Sequence, residues 1–182
     1  MKTRTFKIAI LGDGGVGKTS LIRAKCHKNF DDSSEMTIGV DFACVPFEEN
    51  EEDEDNSAFL AFDLGGQQRF HFIHDAYIKG TKAAIILYDL SRFQTFDNIT
   101  TWHKLLQNEN PRIPIIIAGT KADLVESDTI LEFQSYWEEI KSQFLNNDCF
   151  IDHLFVSAKS GKGLNELFEK LQIVTLDSSM TA

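Results

Sequence analysis

The chain has 182 residues, 42% of them hydrophobic and 25% charged, which suits one domain with a substantial buried core. No apolar run approaches the roughly 18 residues that a membrane-crossing helix requires, and residues 1–7 lead into a strand-like segment without a cleavable leader pattern. The net charge of −10 argues against nucleic acid as a partner, yet seven of the acids fall within residues 48–55; without them 18 basic face 21 acidic residues.

The first apolar run, 6–11, reads as a buried parallel strand. It leads into Gly12-Asp13-Gly14-Gly15-Val16-Gly17-Lys18-Thr19, and a segment of helical spacing follows over 20–29. This is the G-x-x-x-x-G-K-S/T pattern in the strand-to-helix setting that the pattern needs. Successive backbone N–H groups in such a turn form an anion nest, and the helix N-terminus adds partial positive charge. Asp13, Gly14, Gly15, Val16, Gly17, Lys18, Thr19 and Ser20 are therefore the expected cradle of a P-loop nucleotide-binding fold. Lys18 is a point charge for the β- and γ-phosphates, and the Thr19 hydroxyl a ligand for Mg²⁺. Kinases, ATPases and GTPases all use this loop, so the rest of the chain has to choose among them.

Runs 40–47 and 57–62 flank the acidic stretch and read as an antiparallel hairpin with a solvated acidic tip at 48–56. Asp63 follows with Gly66 three residues on, an arrangement that holds Mg²⁺ through water and sets the Gly66 amide against a γ-phosphate. Gln67 comes next, placed to orient an attacking water. A strand at 83–88, a helix at 93–107 and a strand at 113–118 lead to Gly119-Thr120-Lys121-Ala122-Asp123. A carboxylate there accepts two hydrogen bonds from the N1–H and 2-amino group of guanine, a pair that adenine does not offer, so Asp123 points to GTP. A helix at 129–145 and a strand at 151–156 precede Ser157-Ala158-Lys159, where a backbone amide can meet the guanine O6. The last helix, 164–173, carries Leu164, Leu167, Phe168 and Leu171 on one face, and residues 175–182 are expected to be a short flexible tail. The expected architecture is one α/β domain over 1–182. It is a doubly wound, mostly parallel sheet of six strands with one antiparallel edge strand and helices on both faces.

These motifs resemble those of the Ras-superfamily small GTPases over residues 5–171, and "TIGVDF", "GGQQRF", "YIKG" and "GKGLNELFEKL" resemble the Rab branch most closely. The resemblance implies a GTP-binding switch with a slow GTP hydrolase activity, active in Rab-like signalling or vesicle trafficking and holding GTP or GDP with Mg²⁺. It implies that Lys18, Thr37, Gly66 and Gln67 serve catalysis, and that Thr19, Thr37 and, through water, Asp63 hold the metal. It also implies that Phe30 packs on the guanine and that Phe42, Phe62 and Tyr77 form a hydrophobic partner-binding triad. Effector, exchange and GTPase-activating proteins would dock through 33–42, 62 and 65–80.

The chain departs from the family pattern in places. Thr120 stands where Asn is usual, as in Rho-type members, Phe62 stands where Rab proteins carry Trp, and Gly65-Gly66 replaces Ala-Gly. No cysteine follows Cys149, which leads to the expectation of a monomeric cytoplasmic protein that reaches membranes only through a partner or a tail missing from this chain. Two other readings stay open: a P-loop small-molecule kinase, which needs an arginine lid not seen over 95–111, and a nucleotide-locked scaffold without useful hydrolysis, against which Gln67 and Gly14 speak. The five histidines and three cysteines show no ligand spacing, and Trp102 and Trp137 read as core residues.

Overall fold

Strands as apolar as these need cover on both faces, and the chain supplies it with helices on each side of a single sheet. The structure, a computed structural model, describes residues 4–26, 40–47, 57–64, 77–145 and 149–180. Strands β1 (Arg4–Leu11), β2 (Val40–Pro46), β3 (Ser57–Leu64), β4 (Ala83–Asp89), β5 (Ile115–Thr120) and β6 (Phe150–Phe155) form a sheet of order β2-β3-β1-β4-β5-β6. Every neighbouring pair is parallel except β2 with β3, which run antiparallel with Phe42 opposite Phe62. The helices are α1 (Lys18–Lys25), α2 (Gln94–Asp97), α3 (Ile99–Glu109), α4 (Ser127–Ile140), α5 (Ser142–Leu145) and α6 (Leu164–Met180).

Alternation within each strand sorts the core into two layers. Ile8 and Ile10 of β1, Ile85 and Leu87 of β4 and Ile116 of β5 face α1 and α6, where they meet Leu21, Leu167, Phe168 and Leu171. Ala9, Leu11, Ile86, Tyr88 and Ile117 face the other side and meet Trp102 and Leu106 of α3 and Phe133 and Trp137 of α4. From β1 the sheet grows first toward β3 and β2 and then, from β4, in the opposite direction. The loop after β1 therefore sits at the switch point, where a crevice opens at the carboxyl ends of the strands.

Several boundaries differ from the sequence expectation. β5 starts at Ile115 because Pro114 has no N–H to give a ladder, and it runs on to Thr120, which pairs with Asp89. The expected helix 93–107 divides at Asn98, and 129–145 divides at Lys141. The expected flexible tail from residue 175 is a correction: α6 continues to Met180, and Thr175 is fully buried with its hydroxyl bonded to the Leu171 and Gln172 carbonyls. The acidic tip at 48–56 lies outside the described residues.

Candidate functional site

The loop between β1 and α1 is shaped by what glycine permits. Gly12 has φ +139°, and a Cβ there would come within 2.3 Å of the Leu87 carbonyl oxygen, so no other residue fits. Lys18 is 6% exposed, and its ammonium donates to the carbonyls of Gly12 (2.7 Å) and Asp13 (2.8 Å). Burial pulls this lysine down to about 8, against the opposing influence of the Asp63 and Asp13 carboxylates. Beside it the Thr19 hydroxyl donates to Asp63 Oδ2, and Asp63 is 2% exposed at the end of β3. A hydroxyl and a carboxylate meeting here are hard oxygen donors of the kind Mg²⁺ takes, so the residues present fit that ion.

The second half of the site lies past β5 and β6. Thr120 Oγ1 is 2.6 Å from the Val16 carbonyl and 2.9 Å from that of Tyr88, which ties the end of β5 to the glycine-rich loop. Ala122 N–H donates to the Val156 carbonyl (3.1 Å), and the Ser157 hydroxyl donates to Asp123 Oδ1 at 2.5 Å. Ser157 is fully buried, so the orientation of the Asp123 carboxylate is set from inside the fold. Ser20 lies in the first turns of α1, while Ala158 and Lys159 form the turn after β6. The glycine-rich loop, Lys18, Thr19, Asp63 and Asp123 thus converge at one end of the sheet.

A model of the Ras family matches residues 7–176. The chain belongs to that family. It is 34% identical over 171 residues to the human Ras-related protein Rab-22A, covering 92% of this chain and 82% of that one. It is 38% identical over 120 residues to the Ras-related protein RABA1c of Arabidopsis thaliana, covering 65% of this chain and 54% of that one. As a Rab-like small GTPase it binds GTP and GDP with Mg²⁺, hydrolyses GTP, and acts as a molecular switch read by effectors and regulators.

Of the residues expected in the site of this GTPase, Phe30, Thr37, Gly66 and Gln67 lie outside the described residues, as do 33–39 and 65–76 of the expected docking segments. The three aromatic residues of the expected triad do come together. Phe42, 67% exposed, stands 6.3 Å from Phe62, which stands 5.8 Å from Tyr77 (ring centroids). The Lys7 ammonium lies 4.7 Å from the Phe62 ring centroid and donates to the Lys79 carbonyl, an arrangement worth about 0.5–1 kcal/mol at such a site.

Sequence reasoning missed the residues that hold the loop from outside. Asp13 accepts from Asn98 Nδ2 (2.7 Å) and Trp102 Nε1 (2.9 Å), and Arg92 Nη2 donates to the Gly14 carbonyl (3.0 Å). Trp102 is thus both a core residue and a hydrogen-bond donor to the phosphate loop. No sequence signal marked them: Asn98 falls inside the expected helix 93–107, and only the structure shows that its side chain leaves its own helix uncapped.

Proposed function

We propose that this Ras-family protein is a monomeric switch in vesicle traffic, and that the sites named from the sequence carry its nucleotide chemistry. The observation that supports this best is the Ser157–Asp123 hydrogen bond at the same sheet end as Lys18, Thr19 and Asp63. A carboxylate aimed by a buried hydroxyl reads guanine, and the loop next to it receives the phosphates.

In this reading the backbone N–H groups of residues 13–20 hold the phosphates and the Lys18 ammonium balances their charge. Thr19 and Thr37 would hold Mg²⁺, with Asp63 holding it through water. When bound, Mg²⁺ neutralises charge that develops on the phosphate oxygens. Phe30 covers the base, Thr120 and Lys121 shape the base loop, and the Ala158 and Lys159 amides face the guanine O6. Gln67 orients the water that attacks the terminal phosphate, aided by the Gly66 amide. Thr37 and Gly66 touch only the triphosphate form, so residues 33–42 and 65–80 order with GTP and relax after hydrolysis, and effectors read that difference together with Phe62. The protein works in the cytoplasm and meets membranes through a partner or through a tail missing from this chain.

The test is to release and identify the nucleotide that copurifies with the chain, then to follow single-turnover hydrolysis. A guanine nucleotide is expected, with phosphate released in the absence of any acceptor and markedly more slowly after Gln67→Leu. An adenine nucleotide, or phosphate transfer that requires a small-molecule acceptor, would sink the reading.

A further inference from the structure

Asp89 closes β4 with no exposed surface, and four donors meet its carboxylate. Ser91 N–H (2.9 Å) and hydroxyl (2.6 Å) donate to Oδ1, and Arg92 Nε (2.8 Å) and Lys121 Nζ (2.7 Å) donate to Oδ2. Burial alone would push this carboxyl up, and the hydrogen bonds from Lys121, Ser91 and Arg92 hold it below the usual carboxylate range. An enclosed carboxylate is no better at joining two strands than apolar side chains of the same volume. What it does, and an apolar residue does not, is fix two cations at once.

Those two cations belong to the two halves of the nucleotide site. Lys121 follows β5 in the base loop and has the left-handed φ of 60°, a conformation that a non-glycine residue holds only when its surroundings impose it. Arg92 reaches the other way. Its Nη2 donates to the Gly14 carbonyl at 3.0 Å, and both terminal nitrogens stand 3.6 and 3.9 Å from the point a Cβ on Gly15 would occupy. A trans peptide carries its C=O and its N–H on opposite edges. A donor that draws the Gly14 carbonyl outward therefore turns the Gly15 N–H away from itself, toward the inside of the nest.

We propose that Asp89 and Arg92 form a brace between the base loop and the phosphate loop, and that this brace sets how fast the nucleotide leaves. Both are positioning residues: Arg92 orients the Gly14–Gly15 peptide, and Asp89 anchors Arg92 and Lys121 to the end of β4. The proposal rests on the guanine-nucleotide reading above and adds to it a determinant of dissociation that lies outside the phosphate-loop and base motifs.

The experiment measures dissociation of fluorescent GDP from the full chain in Mg²⁺, with ADP competition alongside, for the parent, Arg92→Ala, Arg92→Lys and Asp89→Asn. Arg92→Ala is expected to release GDP about tenfold faster, the loss typical of one charge-assisted hydrogen bond, with guanine-over-adenine preference unchanged because Lys121 keeps its carboxylate. Arg92→Lys restores part of the difference, since one ammonium nitrogen replaces the separate Nε and Nη2 that reach Asp89 and Gly14. Asp89→Asn speeds release and also lowers base preference. The Arg92 side chain is 45% exposed, so its variants read out the brace even if the Asp89 variant does not fold. Release from Arg92→Ala at the parental rate overturns the proposal, and so does a loss of base preference equal to that of Asp89→Asn, which would mark general loosening. A parent that holds no guanine nucleotide overturns the reading beneath it.

Discussion

Thr120 has one hydroxyl proton for two buried carbonyls, Val16 at 2.6 Å and Tyr88 at 2.9 Å, and is itself only 4% exposed. The Val16 bond crosses from the base loop to the phosphate loop, so it joins the two halves of the site directly. Replacing Thr120 with Val keeps the shape and leaves the carbonyls without that donor, a loss of about 1–3 kcal/mol. Urea denaturation of Thr120→Val should show a stability loss of that size together with faster GDP release. A variant as stable as the parent would mean that water replaces the hydroxyl.

His153 offers a second test at the same scale. It lies among Tyr88, Trp137 and Phe155, shares a 2.8 Å hydrogen bond with the Tyr88 hydroxyl, and is pulled by burial down to about 4, with Asp152 and Glu138 opposing. A histidine depressed in the folded state takes up its proton more readily in the unfolded chain. Stability is therefore complete above pH 6.5 and falls as the pH drops toward 4, by about 3 kcal/mol at most. His153→Gln, which keeps an acceptor for Tyr88, should flatten that part of the stability-pH curve. An unchanged slope would assign the acid sensitivity to other groups.

Among the elements, α6 shows how far a hydrophobic stripe can be followed in sequence. Leu164, Leu167, Phe168 and Leu171 announce it, but the buried face continues with Gln172 at 8% and Thr175 at 0% exposure, and polar residues carry no apolar period. Thr175 is satisfied inside its own helix by the Leu171 and Gln172 carbonyls, which lets a hydroxyl lie in the core and hides the helix from a reading based on apolar spacing. The strands were more legible, since β1, β4 and β5 are covered on both faces and so read as continuous apolar runs. Motifs such as Lys18-Thr19 and Asp123 are legible because their chemistry demands fixed residue types at fixed spacing. Asp89, Arg92 and Asn98 were not, because each is an ordinary turn residue until the fold brings it to the loop. Phe168 is 2% exposed against Phe59 and the α1 face, so Phe168→Ala should cost about 3–5 kcal/mol, whereas Ile173→Ala, at 59% exposure, should stay within about 0.5 kcal/mol. Equal effects of the two in thermal or denaturant unfolding would contradict the packing of α6.

At the scale of the whole molecule the charge is uneven, with a quarter of the acids in residues 48–55 and a net charge of −10. No helix among the described residues is long and apolar enough to cross a bilayer. Anionic headgroups repel an acidic protein, so the chain as given, loaded with GTP, is expected to stay behind when protein-free anionic liposomes are floated through a density gradient. Substantial comigration would reveal a membrane-binding surface of its own and remove the need for a recruiting partner.

The link between Ser157 and Asp123 also bears on how the protein comes into being. The glycine-rich loop leans on β4, on Trp102 of α3 and, through Thr120, on the end of β5, whereas the hydroxyl that orients Asp123 follows β6, the last strand of the sheet. A domain folds as a unit once its whole chain has left the ribosome. A nascent chain that has passed β5 carries the glycine-rich loop and Asp123 but not yet the hydroxyl that orients Asp123. The orientation of the Asp123 carboxylate therefore depends on β6 being seated at the far edge of the sheet.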